Sequence, residues 1–262
     1  MKKILTLFTF SLLATIAFAQ KLEVKYQEIV KVNPEEFKGT VKFSTNGKES
    51  QIPNDVYDNM IKNMQEPKDF LLTINDNEST YKKVEKISNN QGNNGFSVSM
   101  SMSGGGNGLY KNLLTKEFAK SVNLMDKPYL IKDKLTEYKW QLSRETKKII
   151  GFDVKKATAI IDSTKSVVAW YAPSIAIKDG PAMYNGLPGL ILELEIISTK
   201  NTSNKGFGNV TIKATEVKEV ADMKPIEKPK EKNVISEKEF ETISKKQMER
   251  FKKMRSEGVD KD

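Results

Sequence analysis

Leu187-Pro188-Gly189-Leu190-Ile191-Leu192-Glu193-Leu194-Glu195-Ile196-Ile197 joins a turn signal directly to a strand signal. Proline presets φ at the second position of a type II turn, and glycine supplies the positive φ of the third. The spacing therefore predicts a type II turn with Gly189 at positive φ. Beyond it, Leu190, Leu192, Leu194 and Ile196 fall on one face of a strand, with Glu193 and Glu195 on the other. Gly186, Leu187, Pro188, Gly189, Leu190 and Ile191 thus read as a structural motif, a turn feeding a central core strand. The competing reading, a backbone loop that touches a ligand, is weaker, because every residue there has a folding reason.

Working outward, strand signals recur at intervals of about ten residues, separated by turn signals. They cover Phe118 to Leu124, Tyr129 to Leu135, Phe152 to Ile161, Val167 to Tyr171 and Val210 to Val217. Toward the N-terminus, Leu22, Val24 and Tyr26 alternate with polar residues. Phe70 to Ile74 and Thr80 to Ile87 flank an Asn75-Asp76-Asn77 turn. Only one internal stretch has helical period: Val56, Tyr57, Met60, Ile61 and Met64, opened by Asn54 as N-cap and stopped by Pro67. Strands do not alternate with long helices, so a parallel α/β sheet is not expected. The expected fold is mainly β, a curved antiparallel sheet or half-open barrel with one or two short helices and a C-terminal helix.

Residues 1–19 carry Lys2 and Lys3, an uncharged apolar run and Ala17-Phe18-Ala19, the pattern of a secretory signal peptide. Residues 20–223 form a single antiparallel β-rich domain. Residues 88–108, rich in Gly, Asn and Ser, are expected to be its least ordered internal segment. Residues 224–235 are a charged linker with prolines. Residues 236–256 are an amphipathic helix opened by a Ser236/Glu239 capping box. Localisation is expected to be periplasmic or secreted.

The chain has no cysteine and no histidine. That removes disulfides, Cys/His zinc sites, Ser-His-Asp triads and Cys-His nucleophiles. The net charge of +9 is spread along the chain and reads as solubility charge, with no nucleic-acid partner. Met100 and Met102 alternate as a core-edge strand does, and no metal or cofactor is expected. Only carboxylates, lysines, tyrosines and hydroxyls remain for chemistry. Glu137, Glu145, Glu193 and Glu195 are the candidates for a carboxylate pair.

Further motifs stand in order before the Leu-Pro-Gly turn. They are Trp140-Gln141-Leu142 with Glu145-Thr146-Lys147-Lys148-Ile149-Ile150-Gly151-Phe152, then Lys156-Ala157, Ala169-Trp170-Tyr171-Ala172-Pro173 and Gly180-Pro181. With Gly186-Leu187-Pro188-Gly189-Leu190-Ile191 they make the chain resemble the GLPGLI family over Lys116 to Ile197. The resemblance implies a secreted or periplasmic bacterial protein without an established activity. Many members carry a cysteine near the position of Val154, so a thiol-based role does not transfer here.

The function expected is a non-catalytic cell-envelope binding or assembly protein, with a carboxylate-dependent hydrolase as the alternative. Trp170 and Tyr171, adjacent on a strand, must face opposite ways. Whichever faces outward, with Tyr184, is the candidate binding surface for an apolar ligand or an envelope protein. The basic end of the C-terminal helix could meet a membrane surface, although docking on the sheet or on a partner fits its narrow apolar stripe better.

Overall fold

The computed structural model describes residues 21–38, 43–45, 48–50, 52–85, 108–124, 127–198, 207–230 and 232–257. The expected signal peptide and residues 88–107 of the glycine-rich stretch lie outside the described residues. The alternating runs become strands in one sheet. These are β1 (Lys21–Val32), β4 (Lys68–Asn75), β5 (Glu78–Lys83), β6 (Leu109–Asn112), β7 (Glu117–Leu124), β8 (Lys127–Lys134), β9 (Gln141–Ile149), β10 (Phe152–Asp162), β11 (Lys165–Ala172), β12 (Leu190–Ser198), β13 (Phe207–Glu219) and β14 (Val234–Ile235). A separate small hairpin is made by β2 (Phe43–Thr45) and β3 (Lys48–Ser50).

The sheet has 12 strands in the order β14-β8-β7-β6-β5-β4-β1-β13-β12-β11-β10-β9, open between β14 and β9. All pairings in it are antiparallel except β14 with β8. Strong curvature follows from connectivity. The chain leaves β8 at Lys134 and enters β9 at Gln141, ten strand places away. A flat sheet would separate those strands by about 48 Å. The seven intervening peptide steps reach at most about 25 Å. Residues 135–140 must therefore cross the mouth of a sheet rolled into a trough.

The inward face carries the core. Val24, Tyr26, Phe70, Leu72, Tyr81, Val167, Ala169, Leu194 and Ile212 belong to one continuous buried cluster. The helix α2 (Asn54–Gln65) packs on β1 through Tyr57, Ile61 and Met64. Its cap differs from expectation: Pro53 holds the N-cap place, and no side chain closes the first turn. Proline presets a compatible φ, so Asn54 becomes the first helical residue. A short helix missed in the sequence, α1 (Pro34–Lys38), opens where the Asn33 side chain accepts from the Glu35 amide at 3.2 Å.

The C-terminal helix α3 (Glu237–Glu257) opens on the expected box. The Ser236 hydroxyl accepts from the Glu239 amide at 3.2 Å, and the Glu239 carboxylate accepts from the Ser236 amide at 2.7 Å. Of residues 224–235, expected as a linker, the described residues 224–230 and 232–235 are laid along the outer face of the sheet. Ile226 fills a small cluster with Tyr110, Ala119 and Leu130. Lys228 meets Glu78 at 2.9 Å, and the Leu130 amide donates to the Asn233 carbonyl at 2.8 Å.

The Leu-Pro-Gly turn departs from the type II expectation. The Gly189 amide donates to the Leu187 carbonyl at 2.8 Å, closing a three-residue turn over Pro188. The Leu190 amide donates instead to the Ile175 carbonyl at 3.1 Å, so tertiary contact replaces the hydrogen bond of the four-residue turn. Gly189 is at positive φ (153°), and a Cβ there would lie 2.3 Å from the Ala172 carbonyl oxygen. Gly189→Ala is expected to destabilise the fold by about 3 kcal/mol or more, since backbone cannot retreat as a flexible side chain can. Urea unfolding checks this: an unchanged midpoint contradicts the close approach.

Candidate functional site

Residues 173–189, which join β11 to β12, lie against the inward face and are held there by a buried polar clasp. Lys111 of β6, Ser79 of β5 and Asp179 are all fully buried. Lys111 Nζ donates to Asp179 Oδ1 at 2.5 Å and to the Gly180 carbonyl at 2.8 Å. The Ser79 hydroxyl donates to Asp179 Oδ2 at 2.6 Å, and the Gly180 amide donates to Oδ1 at 2.8 Å. The Asp179 carbonyl accepts from the Ile191 amide at 3.0 Å, and the Ile191 carbonyl accepts from the Tyr26 hydroxyl at 2.5 Å. Burial pulls the Lys111 ammonium below its ordinary pKa, and the Asp179 charge opposes that fall. Gly180 allows this closeness: a Cβ there would sit 2.8 Å from the Ile191 side chain.

Removing one partner of a buried pair strands the other charge, typically at about 3–5 kcal/mol. Asp179→Ala should therefore lower stability by about that much, while the double change Lys111→Met with Asp179→Leu should recover most of it. Chemical denaturation of the three proteins is the measurement. A double variant no more stable than Asp179→Ala contradicts the role of the pair.

Beside the clasp, aromatic side chains from two segments meet. Tyr138 and Trp140 come from residues 135–140, which cross the mouth; Tyr184 comes from residues 173–189. Tyr138 stacks on Tyr184 with centroids 5.1 Å apart and tilts against Trp140 at 5.6 Å. The Trp140 indole donates to the Asn185 carbonyl at 2.9 Å, and the Gly186 amide donates to the Lys178 carbonyl at 2.9 Å. Next to them a cleft of about 580 Å³ opens at the end of the sheet where the β4–β5 and β6–β7 turns lie. Its wall includes Asp76, Asn77, Lys116, Glu137, Tyr138 and Asn185. Carboxylates, lysines, amides and one aromatic ring are thus mixed within hydrogen-bonding range of a ligand of that size. Lys116 and Glu137 pair at 2.6 Å on the rim.

The three aromatic residues singled out in the sequence do not share one surface. Tyr171 is buried in the core, so Trp170 is the outward one. Trp170 is half-buried on the polar outer face, beneath the Lys147 ammonium 4.2 Å from its ring centroid. Lys147 also pairs with Glu193 at 2.5 Å, and Lys213 approaches Glu193 at 3.8 Å. Of the three, Tyr184 alone comes near the cleft, stacked behind Tyr138, the ring that lines it. Of the other candidate carboxylates, Glu145 binds Lys156 at 3.0 Å, which keeps its carboxyl below the usual range, and Glu195 accepts from the Asn209 side-chain amide at 2.9 Å. Tyr138, Trp140, Lys111 and Asp179 were missed as a group. The Trp140-Gln141-Leu142 motif was the available signal, since an indole in a motif needs an acceptor when half-buried.

Burial pushes the Tyr184 phenol up to about 12. The unfolded chain ionises near the ordinary tyrosine value of about 10. Between these values the folded protein holds more protons than the unfolded one, so stability must fall as pH rises through that window. Denaturation midpoints measured from pH 9 to pH 12, with tyrosinate absorbance alongside, check this. The fall should shrink in Tyr184→Phe.

A family model described as N-glycanase peptide, N-terminal domain, matches residues 57–247. Among solved structures, PNGF-II in its C2 crystal form is similar at 19% identity and a TM-score of 0.49, covering 86% of this chain and 33% of that one. The chain therefore spans about a third of the length of that protein. A conserved protein of Thermus thermophilus aligns at 9% identity and TM-score 0.35, with 84% and 91% covered. A LolA superfamily protein of Nitrosomonas europaea aligns at 10% and 0.29, with 79% and 88% covered. No curated protein matches.

Proposed function

The chain belongs to the family of N-glycanase peptide N-terminal domains, and on that premise we propose that it is a non-catalytic binding domain of the cell envelope, periplasmic or secreted. Its ligand sits in the cleft beside Tyr138 and Tyr184. The resemblance to the GLPGLI family is part of the same proposal, with Gly186 to Ile191 positioning one wall of that cleft.

The observation that carries the reading is the contrast between the two faces. On the outer face Glu145 and Glu193 are tied to lysines, and the Glu145 carboxyl, held below its usual range by Lys156, is poorly suited to be a general acid. At the cleft, polar groups of both signs converge beside stacked rings. Such a wall suits a ligand with hydroxyls and a flat apolar face. The name of the family makes a glycan-bearing peptide the first ligand to try. Capture of an envelope protein is the second reading. It is favoured by the exposed Leu142 and Ile160 on the β9–β10 hairpin at the free edge of the sheet.

The test uses tryptophan fluorescence, since Trp140 packs against Tyr138, which lines the cleft. Glycopeptide is expected to change the emission and bind saturably, and the unglycosylated peptide to bind more weakly. Tyr138→Ala should weaken binding about tenfold, the effect of losing one aromatic contact of about 1.4 kcal/mol, and Tyr184→Ala, which removes the ring that holds Tyr138 in place, should weaken it less. Hydrolysis of the glycopeptide that is lost in Glu193→Gln or Glu145→Gln would replace this reading with the hydrolase.

A further inference from the structure

The C-terminal helix α3 divides into two parts with different surroundings. Its first turns are docked on the sheet. Lys120 pairs with Glu237 at 2.9 Å, the Glu237 amide donates to Asp133 at 3.1 Å, and Phe240 meets Tyr129 edge-on at 6.3 Å. The order of these contacts points the helix toward the start of β8. That strand begins at Lys127, two residues before Tyr129, which leaves about 7 Å of strand. The helix continues for 17 residues past Phe240, about 25 Å. It therefore outruns the strand it rests on, and Lys245, Lys246, Met248, Glu249, Arg250 and Lys253 are all exposed. We propose that this second half of α3 is a docking surface for an anionic phospholipid membrane.

Residues 245–255 carry six bases, Lys245, Lys246, Arg250, Lys252, Lys253 and Arg255, against the single acid Glu249, a net +5 in a chain of net +9. Two ordinary uses of helical charge do not account for this number. The macrodipole leaves about half a negative charge at the helix C-terminus, which one or two bases offset. Pairing within the helix needs acids, and this stretch has only Glu249. Most acids of α3 stand at its other end, where Glu237 and Glu239 are engaged with Lys120 and Ser236. A cluster of about four to eight bases on a helix is what the phosphates of a lipid surface attract.

The placement of the charge suits such a surface. Each residue turns a helix by about 100°. The positions of Lys246 and Arg250 fall on one flank of the stripe begun by Phe240 and Ile243, those of Lys252 and Arg255 on the other, and that of Glu249 opposite the stripe. The sheet occupies the stripe side of the docked half, so a flat surface reaches the projecting half at its tip and flanks, where the bases stand. Lipid headgroups move laterally to meet charges on two flanks, as a fixed acidic groove does not. No described helix is long and apolar enough to cross a membrane, so the contact is peripheral. This reading rests on the proposed envelope location and is independent of the cleft.

Sedimentation of the full protein with lipid vesicles is the experiment. Binding is expected to vesicles containing phosphatidylglycerol, not to phosphatidylcholine alone, and should weaken as salt rises. Each charge removed near an anionic surface should cost about fivefold, so Lys245→Gln, Lys246→Gln and Arg250→Gln together should weaken binding about a hundredfold. Glutamine keeps the helix propensity, and circular dichroism checks the helix content. Lys31→Gln, Lys155→Gln and Lys218→Gln together remove the same charge from exposed positions on the sheet and should lose much less. Equal loss in the two triple variants would be a response to net charge alone and overturns the inference. So does equal binding to both kinds of vesicle, or binding to neither, the result expected if an acidic protein is the partner instead. Glycopeptide binding at the cleft is measured separately, so failure of either reading leaves the other standing.

Discussion

The contact between Lys111 and Asp179 is the constraint on which the rest of the molecule depends. A curved sheet with one apolar face needs a filling for its trough. Here much of the filling is residues 173–189, which have little regular structure of their own. Such a segment carries backbone groups that must be satisfied once buried. Asp179 meets much of that demand at one point: its side chain takes Ser79, Lys111 and the Gly180 amide, and its carbonyl takes Ile191. A charge placed so deep is tolerable only because its partner and hydrogen bonds are complete.

The position of the cleft follows from that anchor and from chain length. Residues 135–140 are too few to connect β8 and β9 around the outside of a twelve-stranded sheet, so they bridge its mouth. Their aromatic side chains then meet what already fills the trough, and Tyr138 finds Tyr184 while Trp140 finds the Asn185 carbonyl. One segment alone could not form the wall. The site is built where a short crossing and a clasped loop are forced to touch.

The outer face obeys different physics. Between β9 and β13 it is a half-exposed lattice of lysines and glutamates around Trp170, where each pair contributes little and solubility is the gain. Between β5 and β8 it is covered by residues 224–230 and 232–235, with Ile226 over Tyr110, Ala119 and Leu130. That cover ends in β14, which blunts one edge of the sheet and delivers α3 to β8, where Phe240 meets Tyr129 at 6.3 Å. Charged residues on β9 leave the opposite edge unattractive to strand pairing.

The sequence by itself determined what depends on near neighbours in the chain. The two-residue period made the strands legible and required Trp170 and Tyr171 to face opposite ways. Ser236 and Glu239, three residues apart, specified the start of α3. The absence of histidine and cysteine excluded whole classes of chemistry without any structure. What only the tertiary structure decided depends on partners distant in sequence: Asp179 is met by Lys111 from 68 residues away and by Ser79 from 100. Neither contact leaves a periodic trace, because an isolated lysine, serine or aspartate reads as surface. The Leu-Pro-Gly turn shows the boundary between the two. Proline and glycine announced a turn and a positive φ, yet its hydrogen bonding was set by Ile175, whose carbonyl takes the Leu190 amide once residues 173–189 are pinned in the trough.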